Sequence, residues 1–229
     1  MGYDDRMRRI SILLALLVFM VFVAAFVVPW GHGRIPLPNT TSSTVMTTNA
    51  KHPFFKLAST AFVEGASIPA KYTCDGARDL SPPLSISGTP TEAVSLALIM
   101  DDPDVPRALK PDGVFDHWIL FNMPADTKEI AEGGSLGTPG ANGAGHNAYT
   151  GPCPPRFSRS EATMKIQVGS QGEPPPKEYE PSEHRYIFTL YALDIKLTLE
   201  VGATKAAVLK ALQGHIIAQT QLIGRYKRP

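Results

Sequence analysis

Cysteine is scarce: Cys74 and Cys153 are the only two in 229 residues. The chain can therefore form at most one internal disulfide, and a scaffold stapled by several is excluded. Charge of one sign is missing as well. Lys and Arg number 22 against 21 Asp and Glu, and no block of basic residues occurs. Nor do aromatic and basic residues interleave, so nucleic acid is not an expected partner. There are no internal repeats. No His-x-x-x-His or closely spaced Cys pair marks a metal centre. Helix signals are few, and after residue 28 no apolar run is long enough to span a bilayer.

Before that point there is one. Residues 10–28 are 19 residues without a charge, preceded by Arg6, Arg8 and Arg9. A helix of that length spans about 28 Å, close to the thickness of a bilayer core. The arginines favour a cytoplasmic start with the remainder outside. A cleavable signal peptide is the rival reading, but its apolar region is usually shorter and no small-x-small site is evident before Pro29-Trp30-Gly31. The expectation is a cytoplasmic stretch over 1–9, a transmembrane signal anchor over 10–30 and a single-pass, extracytoplasmic domain. Residues 31–53, rich in Pro, Gly, Asn, Ser and Thr, read as a flexible tether in which His32 and His52 are solvated. Asn39-Thr40-Thr41 in it fits a glycosylation sequon, a short pattern that chance also produces.

Residues 54–229 are enough for one domain with a full core. Arg6, Arg8, Arg9, Arg34 and Lys51 precede it, as do Asp4 and Asp5, so the domain itself is slightly acidic, about −2. Strands are predicted near 55–58, 84–86, 94–100, 118–123, 165–168 and 186–193, separated by Gly, Pro, Asp and Asn turns. Helix chemistry shows only near the C-terminus, where Thr204 can cap residues 205–212 and Gly214 can end them. A second short helix is expected near His215, before a terminal strand at about 222–226. The architecture is mainly β: a sandwich with small helices at one end.

Polar residues gather in two places. Met100-Asp101-Asp102-Pro103-Asp104-Val105-Pro106 and Phe115-Asp116-His117-Trp118 join two apolar runs, where a stiff, proline-rich connection can aim carboxylates. Ser182-Glu183-His184-Arg185-Tyr186 opens another strand, which puts His184 and Tyr186 on one face and Arg185 on the other. His117, His184 and Tyr186 can donate to an oxyanion, and Asp102 can orient an imidazole or meet an ammonium group. The other reading of these residues is a solvated acidic turn beside a core histidine.

Together these segments resemble the phosphatidylethanolamine-binding protein family, in its prokaryotic Raf-kinase-inhibitor-like branch. The resemblance covers about 54–229. It rests on Ile68-Pro69-Ala70-Lys71-Tyr72-Thr73-Cys74-Asp75-Gly76, Ser81-Pro82-Pro83-Leu84 and Asp102-Pro103-Asp104-Val105-Pro106. His117-Trp118, Asn122-Met123-Pro124, Gly151-Pro152-Cys153-Pro154-Pro155, His184-Arg185-Tyr186 and Gly214-His215 follow in order. It implies two packed sheets in Greek-key arrangement and a small pocket for phosphate or phosphoryl-ethanolamine head groups. Asp102, Asp104, Pro106, His117, Pro155, His184 and Tyr186 would form the ligand site. It also points to a cis Val105-Pro106 bond, as does the need to aim Asp102 and Asp104 at one place. Two features depart from the family pattern. Arg156 to Glu183 is an insertion containing Pro174-Pro175-Pro176, and Ile86 stands where tryptophan is common.

The expected function is binding rather than catalysis, with no cofactor: a membrane-tethered receptor for a small phosphoryl or other anionic ligand, modulating a kinase or another protein. A protease inhibitor is the alternative. A metal-assisted hydrolase using Asp102, Asp104, His117 and His184 is less favoured, because two histidines are easily satisfied by hydrogen bonds. A Ser-His-Asp triad is weaker still, because no serine is read as sitting in a nucleophile-elbow motif. Cys74 and Cys153 are either bonded to each other, as an exported compartment permits, or two separate buried thiols.

Overall fold

A computed structural model describes residues 51–77, 79–107, 109–155 and 183–229. The apolar run 10–28, most of the tether and the expected strand at 165–168 lie outside the described residues. Among the described residues, no helix is long and apolar enough to cross a membrane.

Among the described residues, eight strands form two antiparallel sheets. In the smaller sheet β2 (Leu84–Ser87) lies between β1 (Lys56–Ala58) and β5 (Glu129–Ile130). The larger sheet runs β6 (Thr138–Pro139), β4 (Phe115–Pro124), β3 (Ser95–Asp102), β7 (His184–Leu193), β8 (Ile216–Tyr226). Its strand β7 returns by a long connection to lie beside β3, with β4 and β6 beyond. That is the Greek-key order of fourth, first, second, third.

The larger sheet is covered on both faces, which explains why β3 and β4 read as unbroken apolar runs. Leu96, Leu98 and Met100 of β3 pack between the sheets with Trp118, Phe188, Leu84 and Ile86. Alternate residues Ala97 and Ile99 point the other way and meet Ile119, Phe121, Val208 and Leu212. The last two belong to α1 (Lys205–Leu212), where the Thr204 hydroxyl accepts from the Ala207 N–H as an N-cap. Ile86 is buried between the sheets, opposite Leu57, so an aliphatic side chain occupies this part of the core.

Asn122 has φ +56°, in the left-handed region that few non-glycine residues adopt. Its carboxamide compensates by donating to the Leu197 carbonyl at 2.8 Å and accepting from the Leu197 N–H at 2.7 Å. The loop that follows β7 is thereby fixed against β4.

Four expectations are corrected. No second helix begins near His215; β8 starts at Ile216 and runs eleven residues. Its inward positions are Ala218, Thr220, Leu222, Gly224 and Tyr226, small or polar enough to hide the alternation. Asp101, Asp102 and His117 lie within strands rather than in the connection, because both edges of that hairpin stay paired as far as Asp102 and Phe115. Val105-Pro106 is trans. Aiming both carboxylates at one place is not what the loop does, since Asp104 is turned towards Arg185. His52 is half-buried beside Glu92 rather than solvated. The cysteines, left open between two states, are bonded, with Cα atoms 5.3 Å apart.

Candidate functional site

Strand pairing brings the predicted residues to one end of the larger sheet. Asp102 ends β3, His117 is the third residue of β4, and His184 and Tyr186 open β7 on the other side of β3. The alternation of β7 turns His184 and Tyr186 inward and leaves Arg185 exposed, as expected. Residues 150–155 close the space from above. The Thr150 N–H donates to the His117 carbonyl at 3.0 Å, and the disulfide and the Cys74 N–H, which donates to Pro152 O at 3.0 Å, hold the next turn.

The cavity between them is open to solvent on one side and has a volume of about 280 Å³. Asp102, His117, His184 and Pro155 line it, with Val105, Leu109, Phe115, Thr150, Cys153 and Pro154 among its other walls. Its polar floor is tightly ordered. His184 Nδ1 donates to Asp102 Oδ2 at 2.7 Å, and Asp102 Oδ1 accepts from the Asp104 N–H at 2.9 Å. His117 Nδ1 donates to the Thr150 carbonyl at 2.6 Å. Burial pushes the His117 imidazole below the usual histidine range, an effect the Thr150 carbonyl partly offsets.

Tyr186 stands behind this floor rather than in the lining, its ring edge-on to His117 at 5.2 Å between centroids. Burial raises its phenol strongly, and the Asp102 carboxylate nearby adds to the effect. The Tyr186 hydroxyl and His184 Nε2 are buried with no hydrogen-bond partner among the described residues. Pro106 is buried in the β3–β4 loop and does not line the cavity. Asp104 does not line it either. Its carboxylate accepts from the Arg185 backbone N–H and, bidentately, from the guanidinium at 2.6 and 2.9 Å. Arg185 therefore is a structural ion-pair partner, on the face of its strand that the alternation predicts.

Several contributors escaped the sequence reading. Asn142 builds the loop beside the cavity: its Oδ1 accepts from the Ala144 and His146 N–H groups, and its Nδ2 donates to Ala148 O and Thr150 Oγ1. The Asn142-Gly143 dipeptide, a turn signal, could have indicated it. Nothing in the sequence marks Leu109 or Thr150. His146, in the same loop as Asn142, is exposed. On the opposite face of the sheet, Lys205 Nζ joins Asp101 at 2.8 Å and Asp116 at 2.9 Å, fastening α1 to the same strand ends. Gly133-Gly134-Ser135-Leu136-Gly137 spells the nucleophile-elbow pattern, but it lies in the turn between β5 and β6 rather than between a strand and a helix. Among the described residues, no three His, Cys, Asp or Glu side chains are grouped to hold a metal ion.

Comparison with known proteins agrees with this fold. The family profile described as phosphatidylethanolamine-binding protein matches residues 58–227. A UPF0098 protein of Chlamydia muridarum is 40% identical over 174 residues, which is 76% of this chain and 99% of that protein. Another, from Methanothermobacter thermautotrophicus, is 41% identical over 175 residues, covering 73% and 95%. Among solved structures, a phosphatidylethanolamine-binding protein homologue from Chlamydia trachomatis superimposes with a TM-score of 0.64 at 40% identity, over 76% of this chain and 98% of that one. YbcL of E. coli, at 23% identity and a TM-score of 0.60 over 76% and 99%, shares the fold. The chain belongs to the phosphatidylethanolamine-binding protein family.

Proposed function

We propose that this chain is a membrane-tethered binding module whose cavity takes a small phosphate-type anion, such as a phosphoryl-ethanolamine head group, and that ligand occupancy modulates a protein partner. One observation carries the reading. His184 Nε2 and the Tyr186 hydroxyl are buried without partners among the described residues, beside a cavity that His117 and His184 line. An unsatisfied buried polar group costs about 1–3 kcal/mol, which a ligand that bonds to it recovers. Apolar walls at Val105, Leu109, Phe115 and Pro155 limit competition from water and strengthen each bond made inside.

The role is read as binding and not catalysis, with Asp102 orienting His184 and the imidazoles meeting the anion. The tether is supported by the apolar run 10–28 and its preceding arginines, which favour a domain outside the cytoplasm. A kinase or protease as partner follows only from the family resemblance.

Calorimetry on the full-length chain in detergent, with phosphoryl-ethanolamine as ligand, tests the site. His117→Ala should weaken binding by roughly ten- to a hundredfold, the equivalent of about 1.5–3 kcal/mol for one hydrogen bond involving a charged group. His146→Ala should change it little. Equal affinity in wild type and His117→Ala would overturn the reading. For the tether, protease added to intact spheroplasts should remove the domain, and full protection there would refute the topology.

A further inference from the structure

We propose that the pocket takes its phosphate-type ligand together with one proton: a singly protonated ester against neutral imidazoles, or a dianion against one imidazolium. This rests on the anion-binding reading above and adds the protonation state of the bound species.

The argument starts from which ring nitrogens are already committed. The Thr150 carbonyl can only accept, so the 2.6 Å contact requires a hydrogen on His117 Nδ1. The Asp102 carboxylate likewise accepts at both oxygens, from the Asp104 N–H and from His184 Nδ1. With Nδ1 protonated, a neutral imidazole presents a lone pair at Nε2. Both histidines of the floor are therefore hydrogen-bond acceptors towards a ligand unless the ring becomes a cation.

Among the described residues, no other positive group makes up the deficit, and neither Lys nor Arg lines the cavity. On β7, Arg185 is turned to the opposite face and occupied by Asp104 of the β3–β4 loop. From β3 and β4, Asp101 and Asp116 point to the far side of the sheet and share Lys205 of α1. In the loop over the cavity, Lys110 pairs with Asp112 and Arg107 donates to Pro111 O. The 150–155 wall carries no charge. Close to the floor, the Tyr186 hydroxyl is buried behind the lining, and the Thr150 hydroxyl, in the lining, accepts from Asn142 Nδ2 and keeps its own hydrogen. Among the described residues, a phosphate dianion would thus face two lone pairs and the Asp102 carboxylate with only neutral donors to hold it. Adding one proton, on the ester or on an Nε2, converts one of these repulsions into a charge-assisted hydrogen bond.

The consequence is a binding equilibrium linked to proton uptake. A phosphate monoester has its second pKa near about 6 and is mostly dianionic at about pH 8. Titration calorimetry of the full-length chain in detergent, with phosphoryl-ethanolamine at about pH 8 in two buffers of different ionisation enthalpy, counts the protons exchanged. Uptake of about one proton per ligand is expected, with affinity falling about tenfold per pH unit above pH 7. Binding with no proton exchange and an affinity flat between about pH 7 and 9 would overturn the inference while leaving anion binding standing. No binding at any pH, including about pH 6, would overturn both.

Discussion

His184 donates from Nδ1 to Asp102 Oδ2 across 2.7 Å, with side chains only 2% and 4% exposed. The bond joins the ends of two strands whose residues are 82 positions apart in sequence, so it fixes the floor of the pocket and the mutual position of β3 and β7 at once. Removing one member leaves the other buried and unpaired, which is costlier than the pair itself is stabilising. Asp102→Ala should lower stability by about 3 kcal/mol and abolish phosphoryl-ethanolamine binding. Asp102→Asn, which retains a carbonyl acceptor, should be clearly milder. Urea denaturation compares them, and equal losses from the two variants would show that the hydrogen bond is not what holds the site.

Asp104 acts one step further out. Its peptide N–H orients Asp102 while its carboxylate grips Arg185. The guanidinium holds the Asp104 carboxyl below the usual carboxylate range. A depressed carboxyl stabilises the fold fully above the unfolded value of about 4, and that contribution fades as pH falls through the folded value. Arg185 is well exposed, so the pair is worth no more than about 1 kcal/mol. Arg185→Ala should therefore cost little stability, and its denaturation midpoint should converge with that of wild type in acid, below the folded value of the Asp104 carboxyl. Binding should weaken severalfold, through loss of Asp102 positioning. Unchanged affinity would mean that the loop holds its shape without the clamp.

How far the fold was legible follows from how each strand is buried. β3 and β7 carry large apolar side chains on inward positions, and their approximate bounds could be read from the chain. β8 could not, because its inward positions include Ala218, Thr220 and Gly224. Asp102, His117, Pro155 and His184 were recognisable as polar or rigid residues beside apolar runs, and the cavity unites them. Asp104 and Pro106 were assigned to the ligand site along with the family resemblance. The turn that follows β3 decided otherwise for Asp104: it faces Arg185, on the outward side of β7. Leu109 and Thr150 depend on how a long loop folds back, which local sequence does not encode.

His117 supplies a pH signature of its own. Burial lowers its folded pKa below the unfolded value of about 6.5. Between those two values the unfolded chain binds a proton that the folded one does not, so stability falls as pH drops below about 6.5 and is fully regained above it. His117→Gln removes this titrating group. Thermal melts without ligand should show that the wild-type decline between about pH 6.5 and 5 is shallower in the variant. Parallel profiles would place the titration elsewhere.

The disulfide separates stability from pocket shape. Cys74 and Cys153 are 79 residues apart, and closing so long a loop restricts the unfolded chain, a stabilisation on the order of 2–4 kcal/mol. Cys153 also lines the cavity, between prolines that have no N–H with which to anchor the wall. Cys74→Ser removes the bond while leaving every cavity-lining residue except the thiol state of Cys153 unaltered. Its melting temperature should fall by several degrees, and reductant should reproduce the fall in wild type. At a temperature where the variant remains fully folded, phosphoryl-ethanolamine affinity should drop by several-fold, because the 152–155 wall then depends on its remaining contacts. Wild-type affinity in the folded variant would show that the bond stabilises the domain without shaping the pocket.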